Sequence, residues 1–472
     1  MPAAFLPPQA AKAFRPARTD GLPVFRRDCA EYVAFYAPGC LCVVDLPGAE
    51  QFEATVALPA KKGGGRGQGV DWGAELGRQA EKAIARAGTL REEPFSPECL
   101  TLYLNNECNL HCAYCYADPS PEPAARLELE TIAAAAEVVA GNCRGKGIPF
   151  YVVFHGGGEP TLHRNRVESI LRLIDRVASS HQVETFRYVA TNGVMSEEKA
   201  IWLARSFDLV GLSCDGPADI HDSQRPNQAG KGTLHLLERT ARILREEGAR
   251  FYVRATITEA SLHRQTEIAA YICQQLSPEE MRFEPIYLGG RTIAGLDVHQ
   301  AGEFVTHFLA ARAVARGYDI ALSSSGSRPG SIHGPYCNVF RQVLNLVPGD
   351  VATACFKASD AFQARQKGVV IGALNHKTGR FEIDHPRVQA LRRRLSAAPP
   401  GCANCFNRYH CVRGCPDRCL LDDAGQWEGG EPGFRCRLQS SLTAAILAGT
   451  AERLWSEVLA GKVKGPHGTR IL

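Results

Sequence analysis

Three cysteines lie close together in residues 108–117, which read CNLHCAYCYA. Cys108, Cys112 and Cys115 are spaced C-x3-C-x2-C. Three thiolates can hold three irons of a [4Fe–4S] cube and leave the fourth iron open for a substrate or a cofactor. The alternative is a structural zinc site with a distant fourth ligand such as His111. The spacing favours the cluster over zinc.

A second group of cysteines lies near the end of the chain. The 472 residues include 18 cysteines. A disulfide scaffold is typical of small secreted proteins, whereas clustered thiolates in a reducing compartment are typical metal ligands. The second group comprises Cys337, Cys355, Cys402, Cys405, Cys411, Cys415, Cys419 and Cys436. The other seven are scattered and are expected to be buried small residues: Cys29, Cys40, Cys42, Cys99, Cys143, Cys214 and Cys273.

The elements that must position these cysteines are read from apolar patterns. From about residue 99, helical patterns alternate with strand-like runs: LTLYL (100–104), FYVVF (150–154), FRYVA (186–190), LVGLS (209–213), FYVRATI (251–257) and MRFEPIYL (281–288). Six strands that alternate with helices predict parallel β/α units, and right-handed units predict a partial or full barrel. Functional residues should follow the strand ends, on the C-terminal face. The first cysteine loop directly follows the first strand.

A glycine-rich turn, HGGGEP (155–160), follows the second strand. Glycine lets a ligand or another backbone approach the main chain closely. In isolation the motif indicates only a turn. Its position beside the predicted cysteine loop makes a binding role the better interpretation.

Together these motifs resemble the radical S-adenosylmethionine (SAM) superfamily. The cysteine loop carries an aromatic residue, Tyr114, before its last cysteine. The other matching segments are Gly157-Gly158-Glu159-Pro160, ATNG (190–193), SCDGP (213–217) and HDSQRP (221–226). The resemblance implies that the open iron chelates the amino and carboxylate groups of SAM. It also implies that one electron cleaves the sulfonium C–S bond, and that the 5′-deoxyadenosyl radical abstracts a hydrogen atom from a substrate.

The resemblance also implies which residues contact the cofactor. Gly158 would meet the SAM amino group, and Tyr114 would lie on the adenine side. Ser213 and Arg225 would hold the ribose or the carboxylate, for which an arginine is suited because it offers paired N–H donors. The full set of expected cofactor contacts is Tyr114, Gly157, Gly158, Glu159, Ser213 and Arg225.

The later cysteines resemble a SPASM domain, the auxiliary-cluster module of radical SAM peptide and protein maturases. The resemblance implies two further [4Fe–4S] clusters with interleaved ligands, and therefore three clusters in total. One ligand set is Cys402, Cys405, Cys411 and Cys436, and the other is Cys337, Cys355 and Cys415. Two departures concern the second set: the gap from Gly349 to Cys355 is one residue longer than usual, and the upstream eighth cysteine is missing. That cluster either has an open iron or takes Cys419 or His333 as its remaining ligand.

The predicted fold class is α/β. It consists of a partial (β/α)6 TIM-like barrel, a small cluster-bearing C-terminal domain and an N-terminal α+β extension. The predicted divisions are 1–95 for the extension, 96–320 for the barrel, 321–440 for the SPASM domain, and 441–472 for a C-terminal helix and tail. For residues 1–95, peptide binding is one hypothesis, and an accessory or dimerising role is another.

The resemblance favours an enzyme that modifies a peptide or protein side chain or Cα position, forming a thioether or carbon–carbon crosslink or an oxidised residue. A second hypothesis is anaerobic sulfatase maturation, the formation of formylglycine. Enzymes of that group carry a catalytic aspartate directly after the second SPASM cysteine, where this chain has Phe356. A third hypothesis is a non-catalytic iron–sulfur electron carrier. No catalytic base is assigned: Asp360, Asp417 and Asp422 are expected to be solvated or capping residues.

The charge and apolar composition of the chain limit the classes of partner that are expected. The net charge is +4, from 54 basic and 50 acidic residues, which gives no footprint for nucleic acid or for an anionic membrane. No apolar run approaches the ~18 residues of a membrane helix, and the N-terminal residues lack the pattern of a signal peptide. The expected partners are a peptide or protein substrate and a low-potential electron donor such as flavodoxin or ferredoxin. The expected location is the cytoplasm.

Overall fold

The computed structural model describes residues 14–19, 21–56, 70–117, 126–286, 291, 295–332, 337–396, 402–411, 433–463 and 465–471. Its first part is an antiparallel sheet whose neighbouring strands follow chain order: β1 (Arg15–Pro16), β2 (Phe25–Asp28), β3 (Tyr32–Ala37) and β4 (Cys40–Asp45). Two helices cover one face of this sheet: α1 (Ala49–Val56) and α2 (Trp72–Glu92). The predicted α+β character of the extension is therefore confirmed over its described residues.

Helix α2 is longer than its sequence predicts. The helical spacing of residues 74–88 predicts a helix that ends at Gly88, but the helix continues for four more residues to Glu92. Gly88 is exposed and has open space around it, whereas Leu90 is buried on the next turn. Burial of Leu90 stabilises the last turn, so the prediction that Gly88 ends the helix is wrong.

The main sheet contains the six predicted strands, all parallel and in chain order: β5 (Cys99–Leu102), β6 (Phe150–Phe154), β7 (Thr185–Thr191), β8 (Leu209–Ser213), β9 (Phe251–Ile257) and β10 (Glu280–Pro285). The intervening helices are α3 (Leu129–Lys146), α4 (Arg164–His181), α5 (Glu197–Ser206), α6 (Ala218–Gln224), α7 (Leu234–Glu246) and α8 (Gln265–Tyr271). Helix α9 (Gln300–Gly317) follows β10. The predicted alternation of parallel strands and helices, and with it the α/β fold class, is confirmed.

The strands bury one face against the helices. In β8, Val210 and Leu212 are fully buried in the hydrophobic core. Their neighbours Gly211 and Ser213 face the opposite side, because alternate side chains of a strand point to opposite faces. Tyr252 and Arg254 of β9 lie on the same face as Gly211 and Ser213, with which they pair in register.

The sheet continues beyond the six predicted strands on both sides. Strand β11 (Ala321–Ser323) is parallel to β10, and β12 (Val343–Val347) is parallel to β5. Three antiparallel strands then extend the β12 side: β13 (Val351–Thr353), β14 (Val370–Asn375) and β15 (Arg380–Ile383). Helices α10 (Ala361–Gln366) and α11 (His385–Ser396) lie in this region. Part of the cysteine-rich region therefore shares one eleven-stranded sheet with the predicted barrel.

The last elements return to the first sheet. Helix α12 (Phe434–Leu459) packs on the face of that sheet opposite α1 and α2. Strand β16 (His467–Arg470) then pairs antiparallel with β4 as a fifth strand. Within the described ranges, no helix combines the length and the apolar character needed to cross a bilayer.

Candidate functional site

The three-cysteine loop leaves the carboxyl end of β5, where the sequence predicted it. Its backbone is hydrogen-bonded to the end of α6 and the residues that follow: Ala113 N–H donates to Gln224 O at 2.9 Å, and His111 N–H donates to Pro226 O at 2.8 Å. Burial raises the pKa of Cys108 to about 12, and nearby Glu159, Cys112 and Cys115 add to that rise. Cys112 and Cys115 are joined directly, because Cys115 N–H donates to Cys112 O at 3.3 Å.

The surroundings of Cys108 suit an iron-bound sulfur. The backbone N–H of Leu110 points at its Sγ at 3.4 Å, and the side-chain amide of Asn192 lies at 3.8 Å. N–H donors directed at cysteine sulfurs are a feature of iron–sulfur sites and help to set their potentials. Among the residues that the structure describes, no three His, Cys, Asp or Glu side chains converge on a single metal ion.

The glycine-rich turn packs directly onto the cysteine loop. Gly158 N–H donates to Asn105 O at 2.8 Å, and Glu159 N–H donates to Glu107 O at 2.7 Å. A Cβ on Gly158 would lie 1.8 Å from the Glu107 carbonyl oxygen. Gly157 has a φ of +69°, in the left-handed region that favours glycine. Both glycines are thus required by the close contact between the two loops.

Glu159 ties the glycine-rich turn to the end of β7. Its Oε1 accepts hydrogen bonds from Thr161 N–H (3.1 Å), Thr161 Oγ1 (2.7 Å) and Thr191 Oγ1 (2.8 Å), and its Oε2 accepts one from Asn192 N–H (2.8 Å). Burial raises the pKa of Glu159, and these donors oppose that rise. Glu159 positions the site through these protein contacts, and a direct cofactor contact stays a prediction.

Asn192 is a site residue to which the sequence assigned no role. It belongs to the ATNG segment (190–193), which the resemblance matches only as a motif. Its Nδ2 donates to Asn109 Oδ1 at 2.8 Å as well as pointing at Cys108. Through Asn192, the carboxylate of Glu159 and the first cysteine belong to one hydrogen-bonded chain.

Asp215 is another site residue to which the sequence assigns no role, and it lies at the centre of a buried ionic cluster. Arg225 donates to it twice, from Nε to Oδ2 at 2.9 Å and from Nη2 to Oδ1 at 3.2 Å. The hydroxyl of Tyr114 donates to the same carboxylate at 2.5 Å, and the Arg225 guanidinium lies 5.2 Å from the centre of the Tyr114 ring. Burial alone would raise the pKa of Asp215, but Arg225 and His221 keep it below its usual range. The side chains of two expected cofactor contacts, Tyr114 and Arg225, are thus held together by a residue between them.

Ser213, the remaining expected contact, ends β8 and is half-buried. It faces the polar side of the sheet and pairs in register with Arg254 of β9. The structure therefore brings all six expected cofactor residues to the carboxyl edge of the strands. Their contacts with SAM stay predictions.

The described cysteines of the second group form two neighbourhoods. In one, Cys337 Sγ lies 3.3 Å from Ala354 O, next to Cys355. In the other, Cys405 N–H donates to Cys402 O at 3.2 Å. Cys411 Sγ lies 3.2 Å from Gln439 Oε1, one turn of α12 after Cys436. That these cysteines hold two clusters with interleaved ligands stays a prediction.

The remaining predictions about this group concern other parts of the chain. Cys415, Cys419 and His333 lie outside the described residues, as do Asp417 and Asp422. Asp360 caps α10, with Oδ1 accepting a hydrogen bond from Gln363 N–H at 2.8 Å, which confirms its predicted capping role.

Aromatic residues connect the two cysteine groups. Tyr116 directly follows Cys115, and Phe356 directly follows Cys355. Their rings meet edge to face with centroids 5.8 Å apart. The hydroxyl of Tyr103 donates to Phe356 O at 2.7 Å. The two predicted cluster regions are therefore in contact.

The fold and site together define a parallel α/β protein with a three-cysteine loop at the carboxyl edge of its sheet. Residues 102–260 match the family model for the radical SAM superfamily. This region of the chain is similar to that superfamily.

Individual relatives cover parts of the chain. AlbA of Bacillus subtilis (strain 168), an antilisterial bacteriocin subtilosin biosynthesis protein, is 27% identical over 194 residues, which is 40% of this chain and 39% of AlbA. A cysteine-type anaerobic sulfatase-maturating enzyme of Clostridium perfringens (strain ATCC 13124) is 25% identical over 171 residues, which is 35% of this chain and 45% of that enzyme. The chain thus spans less than half the length of these two relatives. The solved structure of native anSMEcpe with bound AdoMet matches 75% of this chain and 99% of its own, with a TM-score of 0.57 and 18% identity, which shows a shared fold.

Proposed function

We propose that this protein is a radical SAM maturase that modifies a side chain or Cα position of a peptide or protein. The observation that carries the proposal is the three-cysteine loop at the end of β5, with N–H groups directed at Cys108 and a family match over the same region. The second cysteine group, in contact with the first through Tyr116 and Phe356, supports the maturase type. Two relatives whose names describe maturation or biosynthesis of a protein or peptide product point the same way.

In this proposal Cys108, Cys112 and Cys115 hold a [4Fe–4S] cluster. Together with SAM, such a cluster would supply radical chemistry that removes a hydrogen atom from the substrate. The Glu159 and Asn192 chain positions the first cysteine, and Asp215 fixes the side of the loop that carries Tyr114. The later cysteines hold two auxiliary clusters, which can accept the electron released when the product forms. A flavodoxin or ferredoxin is the proposed reductant.

The proposal leaves two candidate reactions, which differ in the bond that is formed. A thioether or carbon–carbon crosslink is the first. Sulfatase maturation is the second, and it is favoured by the sulfatase-maturating relative and by the anSMEcpe fold. Against it stands Phe356, where the resemblance to that group calls for an aspartate. The match of residues 102–260 to the radical SAM model and the relative named as a maturating enzyme count against the carrier hypothesis.

The first experiment measures the content of iron, sulfide and zinc per chain after anaerobic purification. About 12 irons per chain, or three cubes, are expected. Alanine in place of Cys108, Cys112 and Cys115 together should remove about 4 irons and abolish reductive cleavage of SAM to 5′-deoxyadenosine. Alanine in place of the scattered, buried Cys273 is the matched control and should change neither.

Two results would count against the proposal. About 4 irons with zinc present would make the later cysteines structural and leave the maturase without an electron acceptor. SAM cleavage that survives the triple alanine variant would remove the cysteine loop from the reaction. Mass spectrometry of a sulfatase-derived cysteine peptide after turnover separates formylglycine formation from crosslinking.

A further inference from the structure

Residues 402–411, which include three of the cysteines expected to hold one auxiliary cluster, pack against the first sheet. Phe406, directly after Cys405, is 4% exposed and belongs to the hydrophobic cluster between that sheet and α12. The centroid of its ring lies 5.6 Å from the ring centroid of Phe14 and 6.5 Å from that of Tyr36. The neighbour of an expected cluster ligand is therefore part of the core of the first sheet.

A second buried contact joins this sheet to the residue before Cys411. His410 and Tyr36 of β3 are both fully buried, and the Nε2 atom of His410 contacts the Tyr36 hydroxyl. The Nδ1 atom of His410 lies 2.6 Å from Ser331 O, a carbonyl that can only accept, so Nδ1 carries a proton. Pro329 O, at 3.2 Å, is a second acceptor in reach of the Tyr36 hydroxyl. In the neutral ring, Nε2 is then an acceptor to which this hydroxyl donates.

Local hydrogen bonds connect these two side chains with the cysteines. The backbone N–H groups of His410 and Cys411 both donate to Asn407 O, at 3.0 and 2.9 Å. Asn407 directly follows Phe406, which directly follows Cys405. A change in the position of Phe406 or His410 is therefore transmitted to the backbone of a cysteine.

The remaining cysteine of this set is anchored on the same face of the sheet. Cys436 lies in the first turn of α12, and Leu447 and Ala451 of that helix belong to the same hydrophobic cluster as Phe406. All four thiols of the set are half-buried. Four soft thiolates on two anchored segments are a donor set that fits a [4Fe–4S] cube.

We propose that the first sheet positions this auxiliary cluster. Tyr36, acting through His410, and Phe406 hold the loop of Cys405 and Cys411 in the conformation that binds the cluster. The inference rests on the proposed function, in which the later cysteines hold clusters. Contacts behind the ligands of a metal site orient those ligands, and hydrogen bonding and burial set the potential of an iron–sulfur cluster. Tyr36 is therefore a positioning residue, and the N-terminal extension forms part of the cluster site.

The first test removes a single oxygen atom. Tyr36→Phe keeps the ring in the core and removes the hydroxyl that contacts His410. In the anaerobic holoenzyme, the reduction equilibrium constant of one auxiliary cluster should change by about tenfold, which is about 59 mV for a one-electron couple. Redox titration followed by EPR measures this change, and the signal lost in Cys411→Ala identifies the cluster. The control, Tyr32→Phe, removes a hydroxyl from the same strand and face, where the ring stacks on Trp455.

The second test concerns the packing of the loop. Phe406→Leu leaves a cavity beside the cysteines and should lower the bound iron by about 4 per chain, because one cube is lost. The control is Phe35→Leu. Phe35 precedes Tyr36 in β3 but faces the other side of the sheet, where its ring centroid lies 5.1 Å from that of Phe52 in α1. This control makes the same substitution in the same sheet and should keep the iron content of the native protein.

Other results overturn the inference. Unchanged potentials in Tyr36→Phe, or an equal change in Tyr32→Phe, would show that the Tyr36 hydroxyl does not position the cluster. Equal iron contents in Phe406→Leu and Phe35→Leu would show that the loop does not depend on this packing. If Phe406→Leu does not fold, Tyr36→Phe decides alone. About 4 irons with zinc in the native chain would overturn the proposed function as well, whereas three clusters with unchanged potentials would overturn the inference alone.

Discussion

Replacing Asp215 by asparagine should destabilise the protein strongly. The carboxylate of Asp215 is fully buried and accepts hydrogen bonds from five donor groups: Tyr114 Oη, Gln224 Nε2, Arg225 Nε and Nη2, and Thr256 N–H. An asparagine would turn an NH2 group towards these donors. It would also leave the guanidinium of Arg225, which is only 8% exposed, without its counter-charge.

The size of the effect follows from that burial. Removing one partner of a buried ion pair costs about 3–5 kcal/mol. For a domain of 150–250 residues, about 1 kcal/mol lowers the unfolding midpoint by about 2–4 °C. Asp215→Asn should therefore lower the midpoint by about 6–20 °C. Circular dichroism of the anaerobic holoenzyme, together with the loss of cluster absorption, measures this midpoint.

A matched control lies four residues away. Asp219 also pairs with an arginine, Arg264, but its side chain is 62% exposed. Such surface pairs contribute about 0–1 kcal/mol, so Asp219→Asn should change the midpoint by no more than about 4 °C. A double variant, Asp215→Leu with Arg225→Met, leaves no buried charge and should be less destabilised than Asp215→Asn. If Asp215→Asn behaves like Asp219→Asn, the argument from the buried pair is wrong.

Three further predictions follow from single sites. Gly158→Ala places a Cβ against a backbone oxygen of the cysteine loop and should lower both the unfolding midpoint and the amount of bound iron. Gly145 has open space around it, so Gly145→Ala should lower neither. Equal iron in the two variants would refute the close-contact argument. Burial lowers the pKa of His221 to about 4 from 6.5, so the folded state binds fewer protons in that window and stability should fall as the pH drops through it. His221→Gln should flatten this fall in thermal midpoints measured from about pH 7.5 to about pH 5.5, and an unchanged slope would contradict the assignment. Cys415→Ala should cost about 4 irons, and Cys419→Ala should cost iron only if Cys419 is the missing ligand; full iron in Cys415→Ala would remove that residue from the ligand set.

The sequence alone determined the features that arise from local patterns. Alternating apolar runs and helical patterns predicted all six parallel strands, because strand and helix periodicities are properties of short segments. The order of those segments placed the cysteine loop and the glycine-rich turn at the same edge, since parallel strands end together. The spacing of the cysteines likewise divided them into two groups, because spacing is also a property of short segments.

Tertiary structure decided what joins these segments. In the sequence, Asp215 is one residue of the SCDGP motif and has no assigned role. The fold places it between Tyr114 and Arg225, and no spacing rule predicts such contacts between distant residues. Asn192 reaches Cys108 across 84 positions. Gly88 does not end α2, because the burial of Leu90 outweighs the local signal to stop. Pairing of β16 with β4 likewise depends on packing between the two ends of the described chain, which local sequence patterns do not record.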